Sequence, residues 1–471
     1  MYRGLFWFVL PALAPLLGTG LVSQSAALSR LVAESERSGF RTGVVVLDAE
    51  SGKLTSLHRS KETFIPASNQ KILTVAAALW GLGAEFRFRT TFKLRNGVLE
   101  VHPGGDPNWI TGSPHDPARV FAKLAKELRR RGVTRLRGVR RLQGFFTGPE
   151  RPASWPKDQF DRVYCAPTGG LVLDAASFTA RIRAGAGSAR IEFLAPPVAV
   201  IPKPGIKMTS KRKKRYSYWI SQGGGGFRGH GEFSTRADPV EVRGVVQQPG
   251  WAFEQVLRAE LARHGIKIAA AGANVPPLVR TESASEPLVD VYVHLSTLGE
   301  ALGPILRDSS NFHAEQLLRV LGTRRLGEGS FSGGCKVVRA QLASRVDLPA
   351  GMKIADGSGL SRLNRLTPRV VVRVMQKLLA GPHARVFEQS LARGGVDGTL
   401  ARRFGKLPTV GKAVRAKTGT INGVKCLSGI LRSKSGRTRL FCILMNRRKG
   451  TSTKGASALQ ERMVQAIHQT R

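Results

Sequence analysis

Ser68 and Lys71 stand three residues apart in the run Pro66-Ala67-Ser68-Asn69-Gln70-Lys71-Ile72-Leu73-Thr74, which continues as Val75-Ala76-Ala77-Ala78-Leu79. A serine hydroxyl is a weak nucleophile until a neighbour takes its proton, and a lysine with a lowered pKa can do so. Ala, Leu and Gln give the run good helix propensity, and Pro66 sits where helices tend to begin. The spacing therefore predicts Ser68 in the first turn with Lys71 on the same face. Unpaired backbone N–H groups at such a turn can stabilise developing negative charge. A second S-x-x-K, Ser210 to Lys213, lies in a charge run with no apolar helix behind it. It reads as chance.

Two further short motifs follow in order, Ser309-Ser310-Asn311 and Lys417-Thr418-Gly419-Thr420. The second has a decoy, Lys434-Ser435-Gly436, placed in a hairpin turn, whereas Lys417 to Thr420 leads into a strand whose edge can pair with an extended peptide. Other catalytic schemes lack a local signature: there is no G-x-S-x-G and no H-E-x-x-H. The nine histidines are scattered, and His313 beside Asn311 reads as packing or surface. With no C-x-x-C, a zinc site is not expected. The motifs need no metal and no organic cofactor.

The elements that must carry these groups can be read from periodicity. Ser25 to Ser38 is expected as a helix, with Leu28, Leu31 and Val32 on one face. Gly43 to Asp48 and Lys53 to His58 read as a hairpin, and the Ser68 helix should end near Gly81. From about Phe86 the texture changes to short strands and turns. A hairpin is expected around Asn96-Gly97, and a helix from Asp116-Pro117 with a basic outer face. Trp251 to His264 reads as an amphipathic helix. Gly224-x-Gly226-x-x-Gly229 matches a dinucleotide fingerprint but precedes a strand-like segment, so it is rejected. Helical texture returns from about Leu288, with a capping residue among Ser296 to Glu300 and a helix after Asn311. Pro368 to Leu379 reads as another helix, Asn422 to Arg432 and Arg437 to Asn446 as a hairpin, and Ala456 to Gln469 as a closing helix. Hairpins and helices at both ends of the chain imply one antiparallel sheet built from both, with the middle inserted. The divisions are residues 1–27, 28–88, 89–287 for the insertion, and 288–471.

The 471 residues suffice for two or three domains. Residues 1–27 have the layout of an export signal: Arg3, then an almost wholly apolar run to Val22, then small residues. An uncleaved membrane tether is the other reading, and both place the mature chain outside the cytoplasm. Lys+Arg 74 against Asp+Glu 32 gives a net charge of +42. Clusters at Arg129-Arg130-Arg131, Arg140-Arg141, Lys211 to Arg215 and Arg447-Arg448-Lys449 would attract polyanions. In an exported protein those are anionic envelope polymers or lipid rather than nucleic acid; general basicity without a partner is the alternative. Four cysteines allow two disulfides in an oxidising compartment. Cys426 and Cys442 flank a hairpin turn and either pair or are small buried hydrophobes, the latter preferred.

Taken together, S-x-x-K, S-x-N and K-T-G in this order resemble the signature of the penicillin-recognising serine peptidases and β-lactamases. The long gap between the first two motifs is similar to that of the class C, low-molecular-weight penicillin-binding proteins, the D-alanyl-D-alanine carboxypeptidases/endopeptidases of peptidase family S13. Gly105-Asp106-Pro107, Trp155-Pro156, Tyr164 to Pro167, Asp356 to Ser361 and Gly395 to Leu400 agree with that family. Asn108-Trp109 departs from it, and the resemblance is weakest over residues 184–236, whose basic run and glycine tract have no counterpart in it.

The resemblance implies an α+β fold: a transpeptidase-like domain, antiparallel sheet flanked by helices, carrying a large, mainly β, two-domain insertion. It implies hydrolysis of the D-alanyl-D-alanine bond of peptidoglycan stem peptides, or of D-alanyl cross-links, with β-lactams as inhibitors. Ser68 would be acylated and Lys71 would be the base. Ser309 would relay a proton, Asn311 would orient the substrate, and Lys417 would face its terminal carboxylate beside Thr418, Gly419 and Thr420. The backbone N–H groups of Ser68 and Thr420 would form the oxyanion hole. A β-lactamase or esterase on the same fold is the second reading, although no separate carboxylate motif announces a deacylating water. A basic envelope-binding module with a vestigial site is the third. A nucleic-acid binder would explain the charge but neither the export segment nor the motifs.

Overall fold

The computed structural model describes residues 26–196, 205–210, 218–223, 226–269, 287–448 and 453–470. The export segment expected over 1–27 lies outside these except for Ala26 and Ala27, which open helix α1 (Ala26–Arg37). The basic run from Lys211 to Arg215 also lies outside them.

Both ends of the chain build one six-stranded sheet. Its strands are β1 (Phe40–Asp48), β2 (Leu54–His58), β3 (Ala392–Arg393), β4 (Val414–Ile421), β5 (Val424–Arg432) and β6 (Thr438–Arg447). The spatial order is β3-β4-β5-β6-β1-β2, and every neighbouring pair is antiparallel. Side chains alternate across a strand, and here both faces are covered. Val45, Leu47, Leu440, Cys442 and Leu444 join a core with helices on one side. Val44, Val46, Phe441, Ile443 and Met445 meet α1 and the closing helix Ala456–His468 on the other.

Helix α2 (Gln70–Leu82) runs through the first core, with every residue from Gln70 to Leu79 buried. A helix buried all round must be made of small and apolar residues, and the run Val75 to Ala78 supplies them. The insertion carries α3 (Pro117–Arg130) and α4 (Pro249–Arg263). Around α2 stand α5 (Leu298–Leu306), α6 (Asn311–Leu326), α7 (Phe331–Ala343) and α8 (Pro368–Leu379). Asp116 accepts from the Ala118 N–H at the start of α3, and Thr297 with Glu300 closes a capping box on α5.

The inserted segment holds four small sheets among the described residues and its own core around Phe92, Trp109, Phe121 and Phe253. Asn108 and Trp109, which depart from the family pattern, are both buried there; Asn108 Nδ2 donates to Ser296 Oγ at 2.9 Å. The segment leaves along Arg87–Arg95 and returns along Val289–Thr297, and these two strands pair with each other. The division expected at 288 therefore falls before a strand of the insertion's sheet, and the helical part resumes at Leu298. The alternation there is masked because a bulge at Asp290/Tyr292 shifts the register and turns polar His294 and Ser296 inward. The rejected glycine fingerprint ends inside a strand, Gly226–Ser234. All four cysteines are free. Cys442 stands opposite Ser428 and Cys426 opposite Leu444, so the two thiols are diagonal neighbours buried as small hydrophobes, and burial pushes the Cys442 thiol up to about 12.

Candidate active site

Ser68 lies in a single 3₁₀ turn, Ala67–Asn69, that feeds directly into α2. Its neighbours Ala67, Asn69, Gln70 and Lys71 are all buried, and Ser68 is half-buried. Ala67 is held at a φ of 45°, a region costly for a residue with a Cβ. The constraint comes from both sides. Asn69 Nδ2 donates to the Lys417 carbonyl at 3.1 Å, and Ser428 Oγ donates to Asn69 Oδ1. Opposite, Gly359 lies so close that a Cβ there would sit 1.8 Å from the Ala67 carbonyl oxygen.

Lys71 is fully buried, and its Nζ reaches three oxygens: Ser68 Oγ at 3.0 Å, Asn311 Oδ1 at 2.6 Å and the Ser358 carbonyl at 2.8 Å. Burial lowers its pKa to about 7, against the pull of the Asp356 and Glu315 carboxyls. Near neutral pH the amine is thus present in both forms. The neutral form has a lone pair for the Ser68 proton, and the charged form has three donors for three acceptors.

Those two carboxyl groups hold one loop. Glu315 accepts from the Gly357 and Ser358 N–H groups, and Asp356 from those of Gly359 and Ser361. Both side chains are fully buried. Burial and the neighbouring Asp356 raise Glu315 well above the usual carboxylate range. Thr74 of α2 donates to the Gly357 carbonyl at 2.7 Å. The loop therefore presents its Ser358 carbonyl to Lys71 as a fixed acceptor.

The second motif sits at the α5–α6 turn. Ser309 has a φ of 64°, and its Oγ accepts from Lys417 Nζ at 2.8 Å. Asn311 begins α6, and its Nδ2 donates to the Tyr164 carbonyl of the insertion at 2.9 Å. His313 is buried and pairs with Ser310 Oγ through Nδ1 at 2.8 Å. Burial lowers it to about 4, which fits packing rather than proton transfer.

Lys417 comes from β4 on the opposite side. Its Nζ also donates to the Thr418 carbonyl at 2.9 Å. Burial and the nearby Lys71 hold it well below the usual lysine range. The pairing of β3 covers only Arg415 and Ala416 of β4. Since Val414 and Ala416 face β3, strand alternation turns the backbone groups of Thr418 and Thr420 to the same, uncovered side. Gly419 faces inward, its α-carbon against the Pro66 carbonyl and Asn69. Thr420 is exposed, 3.3 Å from Lys425 Nζ.

All eight residues singled out by sequence thus converge on one place. The decoy Lys434 to Gly436 lies in the β5–β6 turn. Sequence reasoning did not assign Asn69, Glu315, Asp356 or the Ser358 carbonyl. Glu315 follows Asn311 by one helical turn, a spacing that signals a shared face; Asp356 and Ser358 stood in a segment that agreed with the family but was given no role. It also missed how the insertion is fastened. Arg319 donates to the Thr147 and Pro149 carbonyls and to Thr168 Oγ1, and Gln316 to the Gly105 and Gly169 carbonyls. Trp155 Nε1 donates to Asp356 Oδ2 at 2.9 Å. The segments Gly105 to Pro107, Trp155-Pro156 and Tyr164 to Pro167 are therefore the places where the insertion grips α6 and the site loop.

A profile of the D-Ala-D-Ala carboxypeptidase 3 (S13) family matches residues 24–470. The D-alanyl-D-alanine carboxypeptidase of Actinomadura sp. (strain R39) is 28% identical over 463 residues, spanning 93% of this chain and 84% of its own length. The D-alanyl-D-alanine carboxypeptidase DacB of Haemophilus influenzae is 23% identical over 424 residues, spanning 87% and 86%. The crystal structure of penicillin binding protein 4 (dacB) from Haemophilus influenzae shares the fold with a TM-score of 0.75 at 21% identity, covering 94% of this chain and 99% of that one. With the match extending over nearly its whole length, the chain belongs to the D-Ala-D-Ala carboxypeptidase 3 (S13) family and is a serine-type D,D-peptidase.

Proposed function

We propose that Ser68 is the nucleophile and Lys71 its base. The substrate strand, a peptidoglycan stem peptide ending in D-alanyl-D-alanine, lies along the open edge of β4. Lys71 takes the Ser68 proton as Oγ attacks the carbonyl of the penultimate D-alanine. The oxyanion forms against the backbone N–H groups of Ser68 and Thr420. The C–N bond then breaks, and the proton taken by Lys71 passes to the leaving amine by way of Ser309, whose Oγ accepts from Lys417 Nζ at 2.8 Å. Water releases the acyl group by the reverse path. Asn311 holds the substrate amide, and Lys417 with Thr418 and Thr420 holds its terminal carboxylate. β-Lactams acylate the same serine. The enzyme works outside the cytoplasm, and its basic surface draws it to anionic envelope material.

The observation that carries this reading is the contact of Lys71 Nζ with Ser68 Oγ at 3.0 Å, with the lysine held at about 7. Intact-mass analysis of the protein with and without benzylpenicillin, followed by peptide mapping, tests it. The expected result is a stable adduct on Ser68 that is absent in Ser68→Ala. Turnover of the drug without an adduct would favour a β-lactamase. An intact drug and no adduct would favour a closed or vestigial site.

A further inference from the structure

A groove of about 960 Å³ lies between α8 and the loop that follows α7. Its walls carry five cations, Lys61, Arg345, Arg369, Arg373 and Lys377, against one carboxylate, Asp347. Arg369, Arg373 and Lys377 are spaced by one helical turn along α8, so they form a continuous stripe. Lys61 faces them from the segment beyond β2, which is tied to α8 by the Arg369 N–H donating to the Ser60 carbonyl at 3.1 Å.

The charge in this groove is not answered from within. Among the described residues none of the five cations forms an ion pair, and neither does Asp347. Glu62, the acid next to Lys61, is already engaged by Arg41 and Arg59. The guanidinium groups of Arg345 and Arg373 are positioned by neutral partners, Gln341 and Gln376, and Arg345 also lies over the Trp80 ring at 4.9 Å. The Arg369 guanidinium likewise has a neutral partner, Nη2 donating to Ser60 Oγ at 3.4 Å. Some arginines elsewhere are neutralised, as Arg141 and Arg258 are by Glu254; the groove gathers five unpaired cations along one concave wall.

We infer that this groove binds an extended polyanion carrying repeated phosphate groups, at a site separate from Ser68. The inference rests on the peptidase reading for its purpose, because a peptidase tethered to an anionic wall polymer keeps its site near insoluble substrate. It does not rest on that reading for its test. The probe is short-chain inorganic polyphosphate, with binding followed by fluorescence anisotropy across a salt series on the full-length protein. Lys61→Gln, Arg373→Gln and Lys377→Gln together remove three groove cations. Arg119→Gln, Lys123→Gln and Lys126→Gln together remove three exposed cations from α3, an equal loss of net charge elsewhere.

The groove variant is expected to bind at least about tenfold more weakly than the parent, and its salt slope to fall by about two. The α3 variant should change by less than about twofold, as expected of dispersed surface charge. Equal weakening in the two variants would overturn the proposal, since net charge alone would then account for binding. So would weakening only in the α3 variant. Acylation of Ser68 by benzylpenicillin is expected to be unchanged in the groove variant, which separates this site from the catalytic one. If acylation fails in the parent while polyphosphate still selects the groove, the peptidase reading falls and the groove stands.

Discussion

Two buried lysines meet in the site from opposite sides, and their surroundings differ in sign. Lys71 rises from the helical side, where the Asp356 carboxylate supports its charge. Lys417 descends from the sheet side, where its strongest electrostatic neighbour is Lys71 and only Asp308 offers help. Desolvation alone would neutralise both. Asp356 offsets part of that, leaving Lys71 at about 7, where an amine can take and give a proton near neutral pH. Beyond Asp308, Lys417 has no such support, and on the proposed reading the substrate's terminal carboxylate would restore its charge.

The largest test of this contrast removes each amine in turn. Lys71→Met should slow acylation by benzylpenicillin by about a thousandfold or more, the loss usual for a base that activates its nucleophile. Lys417→Met should instead penalise substrates that carry a terminal carboxylate, by about tenfold or more in kcat/KM relative to a matched amide lacking it. An equal penalty on both substrates would erase the distinction between the two lysines.

A smaller effect sharpens the electrostatics. Acylation rate against pH should show an acid limb near 7, since only the neutral amine of Lys71 accepts the serine proton. Asp356→Asn removes a negative charge that favours the ammonium form, so the limb should move to lower pH. A limb that stays in place or moves upward would mean that the carboxyl pair holds the loop without tuning the base.

How far this was readable in the sequence depends on distance along the chain. Ser68, Lys71, Ser309, Asn311 and Lys417 were legible because each motif is local and sits on an element with its own periodicity. The sheet built from both ends was legible for the same reason. Glu315 and Asp356 were not, because they meet only once α6 and the 356–361 loop are packed on α2. The positive φ values of Ala67 and Ser309 were equally hidden, since neither residue favours that region and only their surroundings impose it. Strand Val289–Thr297 was missed because its inward face is polar.

The smallest effect concerns the insertion. Trp155→Phe removes the hydrogen bond from that segment to Asp356. The loss of one buried donor should cost about 1–3 kcal/mol and lower the melting temperature by a few degrees. The acid limb should broaden or shift slightly, as the Asp356 carboxylate relaxes. A melting temperature and a limb both unchanged would show that the insertion's grip on the site loop is dispensable.

The pairing of β1 with β6 has a temporal meaning. Asp48 receives its ion pair from Arg439, 391 residues further on, and Phe40 faces Arg447 across the sheet. A chain made from its N-terminus carries Ser68 early but completes the sheet only with its last hairpin. The insertion, whose outgoing and returning strands pair with each other, can close before then. Contacts of such sequence separation form late. Ser68 is therefore an ordinary hydroxyl on an unfinished chain until the final strands arrive, and a product truncated before Thr438 would carry the proposed nucleophile without the frame that surrounds it.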